Sequence, residues 1–320
     1  MLAAEDLCLE AGVQLLYHHT LTDVLLDGER LDALVLHSKS GFTAARAQVY
    51  VDCTGDADLA FRAGCTCEQG GPTGHCQPMT LCFKLSGVDR GRMPEGTEIN
   101  RLYNEAKARG EIDNPRENVL IFQWFTPDVL HFNTTRVIQR DGTQGAALSD
   151  AEIVGRRQLR QMLAFLRTRV PGFERAEIHS IAHHIGVRET RRVRGLAYLT
   201  RADFLARRKW PDAVARVRYA IDIHNPDGTG TEILDMPEDD WYEVPYGCLV
   251  ARDRANLLIG GRPVSADHAI HSSLRVMAPA CTLGQAAGLA AALAVRHGCR
   301  PADLDGTEVR RQLRARGARL

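Results

Sequence analysis

The amino-acid sequence predicts an α/β protein in which one discontinuous domain carries a second, inserted domain. Three observations support this prediction. The first part of the chain places helices beside strands, the middle is rich in short strands, and the last part returns to a strand followed by a helix. A chain of 320 residues is long enough for one large or two modest cores. We therefore expect an α/β unit interrupted by a mixed β/α unit.

The composition excludes several classes of protein. Forty Lys and Arg balance forty Asp and Glu, so the formal net charge is zero. This argues against bulk electrostatic binding to nucleic acid or to an anionic membrane. No apolar run reaches the roughly 18–20 residues of a membrane span. Nine cysteines, an odd number in a long chain, indicate reduced thiols and a cytoplasmic protein.

Hydrophobic periodicity and turn residues predict the first helices and strands. Residues 1–11 have helical spacing and end at Gly12, and a strand is expected at 13–17. A β-meander follows, with strands at 22–26, 31–37 and 42–47 separated by Asp27-Gly28 and Ser40-Gly41. A buried strand at 48–53 then runs into Thr54-Gly55-Asp56. A short helix at 58–63 ends at Gly64.

The middle of the chain alternates strands with two helices. After an irregular stretch, a strand at 81–85 precedes a polar insertion at 89–118 whose residues 100–109 have helical spacing. Residues 119–125 and 129–134 are expected to pair as strands. Ser149 is a candidate N-cap for a helix at 150–170, which Pro171-Gly172 ends. Later elements are strands at 177–186 and 214–223, a short helix at 201–209 and a loop at 224–230.

The end of the chain has the pattern of a nucleotide pocket. Residues 242–246 and 247–250 lead into the apolar strand 257–259, which runs into Gly260-Gly261-Arg262-Pro263, a polar loop and a small-residue helix. Glycines let the backbone approach a ligand closely, and a helix N-terminus offers free N–H groups to an electron-rich atom.

Three ordered blocks resemble a known family. Val51-Asp-Cys-Thr-Gly-Asp-Ala-Asp-Leu-Ala60 is similar to a strand end of flavoproteins with two dinucleotide-binding domains. The segment 186–195, together with Ala220-Ile-Asp-Ile-His224, resembles the substrate side of the FAD-dependent oxidoreductase family, distantly related to fumarate reductase flavoproteins. Glu243-Val-Pro-Tyr246 and residues 256–292 are similar to the family's C-terminal FAD segment.

The resemblance implies a fold, a cofactor and a reaction. The fold would be a partial FAD/NAD(P)-binding, glutathione-reductase-like fold with an inserted mixed β/α substrate domain. Residues 1–66 and 241–320 would form the discontinuous FAD-binding domain, and residues 67–240 the inserted one. The cofactor would be FAD, and the reaction would be hydride transfer between flavin N5 and a small-molecule substrate.

One feature of the family is missing from this sequence. The family opens with a strand, Gly-x-Gly-x-x-Gly and a helix, which hold the FAD pyrophosphate. Here residue 1 already lies within a predicted helix. We expect either a truncated or misplaced start, a partner chain that supplies the unit, or a decayed flavin site. If a partner chain supplies the unit, or if the flavin site has decayed, the chain is a non-catalytic or incomplete subunit. The sequence is also compatible with a homo-oligomer.

The nine candidate cofactor residues lie in three short segments. They are Thr54, Gly55 and Asp56, then Gly260, Gly261 and Arg262, and on the last helix Cys281, Gly284 and Gln285. The resemblance brings the second segment to the ribityl chain and phosphates, and the helix start to the flavin pyrimidine. Each segment also has a purely structural interpretation as a turn or as tight helix packing.

The candidate catalytic residues are Arg188, His268 and His271. The resemblance places Arg188 at the flavin–substrate junction, where it would bind a carboxylate or stabilise charge, although basic runs are often surface faces. His268 or His271 would move a proton. A metal site at these two histidines lacks a second carboxylate or cysteine nearby, and the spacings of Cys65, Cys67, Cys76 and Cys82 are not those of metal-binding pairs.

Overall fold

The structure, a computed structural model, describes residues 2–320, so Met1 lies outside the described residues. Eight α-helices, α1 to α8, follow in chain order among these residues: Leu2–Glu10, Asp58–Arg62, Gly96–Ala108, Gly145–Arg169, Arg201–Leu205, His268–Leu274, Met277–His297 and Gly306–Ala315. Short 3-10 helices lie at Tyr246–Leu249 and Pro301–Asp303.

Fifteen strands, β1 to β15, occur in the described part of the chain: Thr20–Asp27, Arg30–Ser38, Gly41–Arg46, Tyr50–Asp52, Cys67–Gln69, Phe83–Ser86, Ile121–Gln123, Leu130–Phe132, Glu177–Ile181, Arg191–Val193, Ala213–Val217, Ile221–His224, Thr231–Leu234, Tyr242–Pro245 and Leu257–Ile259. The largest sheet has the order β7-β8-β6-β9, and β1-β2-β3 form the predicted antiparallel meander. The pairing of β7 with β8 confirms the expected paired strands.

The parallel pair β4–β15 positions the site. Leu257, Leu258 and Ile259 pair with Tyr50, Val51 and Asp52, although some 200 residues separate the two strands. All three β15 residues are buried. Helices α2 and α7 pack on this pair. This arrangement agrees with the predicted α/β fold class.

The four-stranded sheet and the C-terminal helices pack in separate hydrophobic cores. One core lies between α3, α4 and the four-stranded sheet, where Phe83 and Phe132 stack with ring centroids 5.0 Å apart. Another joins β11 and β14 to α7 and α8, and includes Val214, Tyr242 and Leu283. Residues from 199 to 250 thus share a core with the C-terminal helices. The limits 1–66, 67–240 and 241–320 stay a prediction.

Helix α7 is both a core helix and an apolar one. Its 21 residues would be long and apolar enough to cross a membrane by length and composition alone. That is weak evidence, because Leu283, Ala287 and Leu293 lie buried in the core described above. The remaining face of α7 is open.

Several expected elements differ from the structure. Residues 13–17 form no strand, and the side chains of Val13, Leu16 and Tyr17 are about half exposed. Ser149 is not an N-cap, because α4 begins at Gly145 and the Ser149 hydroxyl donates to the Gly145 carbonyl at 2.9 Å. The strand expected at 214–223 is two strands, β11 and β12, and β12 forms a hairpin with β13.

Candidate functional site

Two predicted ligand-binding turns lie side by side. Residues 54–56 follow β4 and residues 260–262 follow β15, and the two strands are parallel. The Gly260 amide donates to the Asp52 carbonyl at 2.9 Å, so the hydrogen bonds between the two strands continue to their carboxyl ends. Ligands of open parallel sheets bind at this carboxyl edge. The structure therefore brings together two segments that the sequence predicts separately.

Asp52 organises the first turn. This fully buried carboxylate accepts hydrogen bonds from the Thr54 amide at 2.9 Å, the Thr54 hydroxyl at 2.7 Å and the Ala60 amide at 2.8 Å. The Thr54 hydroxyl also accepts from the Asp58 amide at 2.8 Å. The Thr54 hydroxyl and amide are thus both occupied in holding the turn to α2, and only its carbonyl is left to meet a ligand.

Arg262 connects the two turns. Its Nη2 donates to Asp56 Oδ1 at 2.7 Å, and its Nη1 donates to the Val187 carbonyl. The guanidinium lies over Gly55, where a Cβ would come within 2.7 Å of Nη2. Gly55 also has φ +82°, a conformation that favours glycine. Gly55, Asp56 and Arg262 form one unit whose aspartate also accepts from Thr190 Oγ1 at 2.6 Å.

The glycine turn after β15 packs against α7. A Cβ on Gly260 would lie 2.7 Å from Cys53 Sγ and 3.4 Å from the Gly284 Cα. Gly261 has φ +81° and faces the Ala280 carbonyl, 3.8 Å from its Cβ position. A Cβ on Gly284 would meet nothing within 4 Å. The turn and the helix start thus meet through backbone, beside open space.

The open space continues along one face of α7. Met277 is 86% exposed, and Cys281, a free thiol, and Gln285 are exposed one and two turns further on. The residue before the helix, Val276, provides no side-chain cap, and Pro279 has no N–H, so Met277 and Ala278 supply the free N–H groups of the first turn. A 21-residue helix concentrates positive partial charge at this end. Glycine backbone, N–H donors and open space thus lie together here, and these are the features that admit an electron-rich ligand.

His268, which is partly buried, pairs with the buried Glu189. His268 Nδ1 lies 2.8 Å from Glu189 Oε1. The same carboxylate accepts from the Gln77 amide at 3.0 Å and from Arg192 Nη1. Burial raises the pKa of Glu189, but the hydrogen bond from His268 and the nearby positive charges outweigh it and lower this pKa to about 2.

This charge state fixes the role of each nitrogen of His268. Glu189 is a carboxylate and only accepts, so His268 Nδ1 carries a proton and Nε2 is the nitrogen left to exchange one. Nε2 lies 3.0 Å from the Cβ position of Gly71. There His268 lines a cavity of about 720 Å³ between residues 71–73, the β12–β13 hairpin and the start of α6. His268 Nε2 is therefore placed to exchange a proton with a molecule in this cavity.

His271 lies in a different environment. It is fully buried, and its Nε2 lies 3.1 Å from the Arg262 carbonyl, so Nε2 carries a proton and donates to the glycine turn. Nδ1 has no partner within the described residues. Burial lowers the pKa of His271 to about 3, aided by the charge of Arg192. His271 is neutral near pH 7 and supports the turn from behind, whereas His268 reaches a cavity.

Arg188 is held by hydrogen bonds to three neutral groups. Its Nη1 donates to the Pro78 carbonyl at 2.6 Å and to Thr80 Oγ1 at 2.8 Å, and its Nη2 lies 3.4 Å from Asn133 Oδ1. Burial, followed by the positive charges of Arg275 and Arg116, lowers the pKa of Arg188 to about 9. The residue is held rigidly by neutral groups.

A second cavity beside Arg188 contains side chains that the sequence did not single out as site residues. Its volume is about 960 Å³, and Asn133, Asp222, His224 and Arg116 line it. Asp222 and His224 alternate along β12, so both face the same side, and this period-two spacing was the available signal. His224 Nδ1 lies 3.2 Å from Arg136 Nη2, which can only donate, so this nitrogen is an acceptor. Burial lowers the pKa of His224 to about 4, and the ring is neutral.

Comparisons with known proteins identify a family and distant structural likenesses. The sequence profile of the FAD dependent oxidoreductase family matches residues 1–313. No curated protein matched the sequence significantly. Three solved structures are similar. The p-nitrophenol 4-monooxygenase PnpA from Pseudomonas putida DLL-E4 has a TM-score of 0.42 and 10% identity, over 92% of this chain and 53% of that chain.

The geranylgeranyl bacteriochlorophyll reductase-like protein from Thermoplasma acidophilum has a TM-score of 0.44 and 9% identity, over 97% of this chain and 57% of that chain. The flavin-dependent brominase Bmp2 has a TM-score of 0.43 and 11% identity, over 98% of this chain and 58% of that chain. The chain thus spans little more than half the length of these proteins. Likenesses at this level do not extend to substrate or reaction.

Proposed function

The chain belongs to the FAD dependent oxidoreductase family, and from this premise we propose that it transfers a hydride between a small substrate and FAD. The meeting of the Gly260–Gly261 turn with the uncapped start of α7 supports this most. It offers glycine backbone, N–H donors and open space at the carboxyl edge of a parallel strand pair. The distant relation to fumarate reductase flavoproteins stays a prediction.

Three segments of this chain would hold the cofactor. Residues 54–56 and 260–262 would contact it through backbone, since the Thr54 hydroxyl and the Arg262 guanidinium are already engaged. Gly284 would admit it close to α7, and Cys281 and Gln285 would flank it on the exposed face. When bound, FAD supplies a site at N5 that accepts or releases a hydride.

The remaining roles fall to the side chains at the cavities. Arg188 would orient the substrate, because its hydrogen bonds to neutral groups fix its position and leave its charge uncompensated. His268 would take up or release a proton at Nε2, with Glu189 holding the ring in the required tautomer. His271 would act as a positioning residue through the Arg262 carbonyl.

We also propose a second candidate, in which FAD binding needs a partner chain or a further segment that supplies phosphate contacts. The exposed apolar side chains of α1 favour it, because Leu2, Leu7 and Leu9 are 78%, 68% and 57% exposed. Apolar surface of this kind is common at protein contacts.

A cytoplasmic location, with a small molecule rather than nucleic acid or membrane as partner, agrees with zero net charge and nine free cysteines.

A pair of leucine substitutions on α7 tests where the flavin binds. Gly284→Leu places a side chain into the open space beside Gly260, whereas Ala292→Leu changes an exposed position two turns further along the same helix. We expect titration of FAD, followed by flavin fluorescence, to give at least about 10-fold weaker binding for Gly284→Leu and unchanged binding for Ala292→Leu. Equal affinity of the two variants would remove the proposed cofactor site from α7.

A further inference from the structure

One face of the sheet β7-β8-β6-β9 points away from its core and carries a row of polar side chains. Phe83 and Phe132 are buried in the core, and side chains alternate between the two faces along a strand. Lys84 and His131, each next to one of these phenylalanines, therefore lie on the opposite face, and they are direct partners across β6 and β8. Ser180 of β9 is the partner of Lys84 on its other side. The register thus places an ammonium, an imidazole and a hydroxyl side by side.

These three side chains line a cavity of their own. Its volume is about 360 Å³. This lies within the range of about 300–1,000 Å³ that is usual for small-molecule sites. Cys82 and His183 lie in the same wall. Among the described residues that line the cavity there is no carboxylate, and none of them belongs to the three cofactor segments or to the candidate catalytic residues.

Lys84 brings a positive charge to this cavity that no carboxylate balances. Among residues 2–320 its ammonium forms no ion pair, and it lies 3.8 Å from the centroid of the Trp124 ring. A cation is attracted to an aromatic face, but its N–H groups stay available to an anion. Burial raises the pKa of the Cys82 thiol and the charge of Arg188 opposes this, so the charge that acts on that end of the cavity is also positive.

His131 adds a buried nitrogen without a partner. Its Nδ1 is shielded from solvent, and no hydrogen bond reaches it within the described residues. Burial, followed by the charge of Lys84, lowers the pKa of His131, so the ring is neutral near pH 7 and one of its nitrogens can donate. Because buried polar atoms are nearly always paired, an unpaired one in the wall of a cavity points to a partner from outside the chain.

Aromatic rings lie beside these polar groups on the solvent side. Phe122 is the cross-strand partner of His131, with ring centroids 5.9 Å apart, and the Trp124 centroid lies 6.2 Å from that of His131. Phe125 packs on Trp124 at 5.4 Å and is 95% exposed. Clustered apolar surface of this kind marks a place where something binds. An anion that also carries a flat apolar body would cover these rings.

We propose that this face of the sheet binds a small aromatic acid, whose carboxylate meets Lys84 and His131 and whose ring packs beside Phe122 and Trp124. Hydrogen bonds between charged partners are about twice as strong as neutral ones, and aromatic pairs contribute beyond their buried area. Inorganic phosphate would meet the ammonium but leave the rings exposed. This site goes beyond the proposed oxidoreductase function and does not rest on it.

Binding can be measured without turnover. The purified chain, with and without added FAD, is titrated calorimetrically with benzoate and phenylacetate, with their amides, with acetate and with inorganic phosphate. We expect benzoate or phenylacetate to bind at least about 10-fold more tightly than its amide, acetate and phosphate. Equal affinity of acids and amides, or binding of acetate or phosphate at least as tight as that of the aromatic acids, would overturn the proposal.

Variants identify the residues that bind the acid. Lys84→Gln should weaken binding of the aromatic acid about 10- to 100-fold and leave amide binding unchanged, whereas Lys84→Arg should restore part of the loss. Trp124→Ala should weaken acid and amide alike, about 3- to 10-fold. Lys209→Gln is the matched control, because Lys209 also lies over a tryptophan ring, Trp241 at 3.9 Å, but pairs with Asp240 outside the cavity. If Lys84→Gln does not fold, Trp124→Ala and the acid–amide comparison on the unaltered chain still decide.

The outcomes separate this inference from the proposed function. Acid binding that depends on Lys84 in a chain that takes up no FAD would support the inference and contradict the proposed function. FAD binding without any preference for aromatic acids over their amides would do the reverse. Equal losses in Lys84→Gln and Lys209→Gln would also overturn the inference, since net charge alone would then explain them.

Discussion

Replacing Glu189 by Gln should destabilise the protein more than most single substitutions. The carboxylate is 1% exposed and accepts from the Gln77 amide, His268 Nδ1 and Arg192 Nη1. Its pKa falls from an ordinary 4.5 to about 2. At about 1.4 kcal/mol for each unit of pKa, the ionised form contributes about 3 kcal/mol at neutral pH.

The pH dependence has a defined sign. Because the folded-state pKa of Glu189 lies below the unfolded value, its contribution is fully present above about pH 4.5 and is lost as the pH falls towards 2. Glu189→Gln should abolish this contribution at every pH and leave Arg192 without its buried partner. We expect a loss of about 3–5 kcal/mol at pH 7.

Urea unfolding at pH 7 and at pH 3 measures both effects, because most of the contribution is lost at the lower pH. Glu105→Gln is the control, because Glu105 pairs with Arg101 on the exposed face of α3 and should cost less than about 1 kcal/mol. The difference between wild type and Glu189→Gln should shrink at lower pH. A loss at pH 7 no larger than that of the control would refute the reasoning.

Three further predictions concern the close packing of Gly260, the proton carried by His268 and the hydrogen bond of Tyr242. Gly260→Ala should lose about 1–3 kcal/mol of unfolding free energy, because its Cβ would lie 2.7 Å from Cys53 Sγ. Gly284→Ala should lose none, because its Cβ would meet nothing within 4 Å. Equal losses of the two variants in urea unfolding would contradict the close approach at Gly260. His268→Asn should slow FAD reduction by a bound substrate about 10²- to 10⁴-fold without weakening FAD binding, and an unchanged reduction rate would remove His268 as the proton carrier. Tyr242→Phe should cost about 1 kcal/mol in thermal unfolding through its 2.8 Å bond to Ser273, and no change would show that this bond contributes nothing.

Local patterns predicted much of the fold. The meander β1–β3 follows from alternating residues and glycine turns, which act over a few positions. Residues 13–17 have strand composition but no neighbouring strand to pair with, and a lone segment gains nothing from propensity. Ser149 can cap a helix or bond back to the preceding turn, and the chain uses the second option.

The site was predictable where it depends on strand ends. Residues 54–56 and 260–262 each follow an apolar strand, and parallel pairing brings them to one edge. The partners of His268 and Arg188 were not predictable, because Glu189 and His268 are 79 residues apart and meet only through tertiary packing.

The central claim is that this chain binds and uses FAD, and an FAD titration of the purified chain tests it most directly. We expect saturable binding of one FAD per chain, an absorption spectrum with flavin maxima, and release of a stoichiometric amount of FAD on denaturation. A colourless chain that takes up no added FAD would contradict the claim.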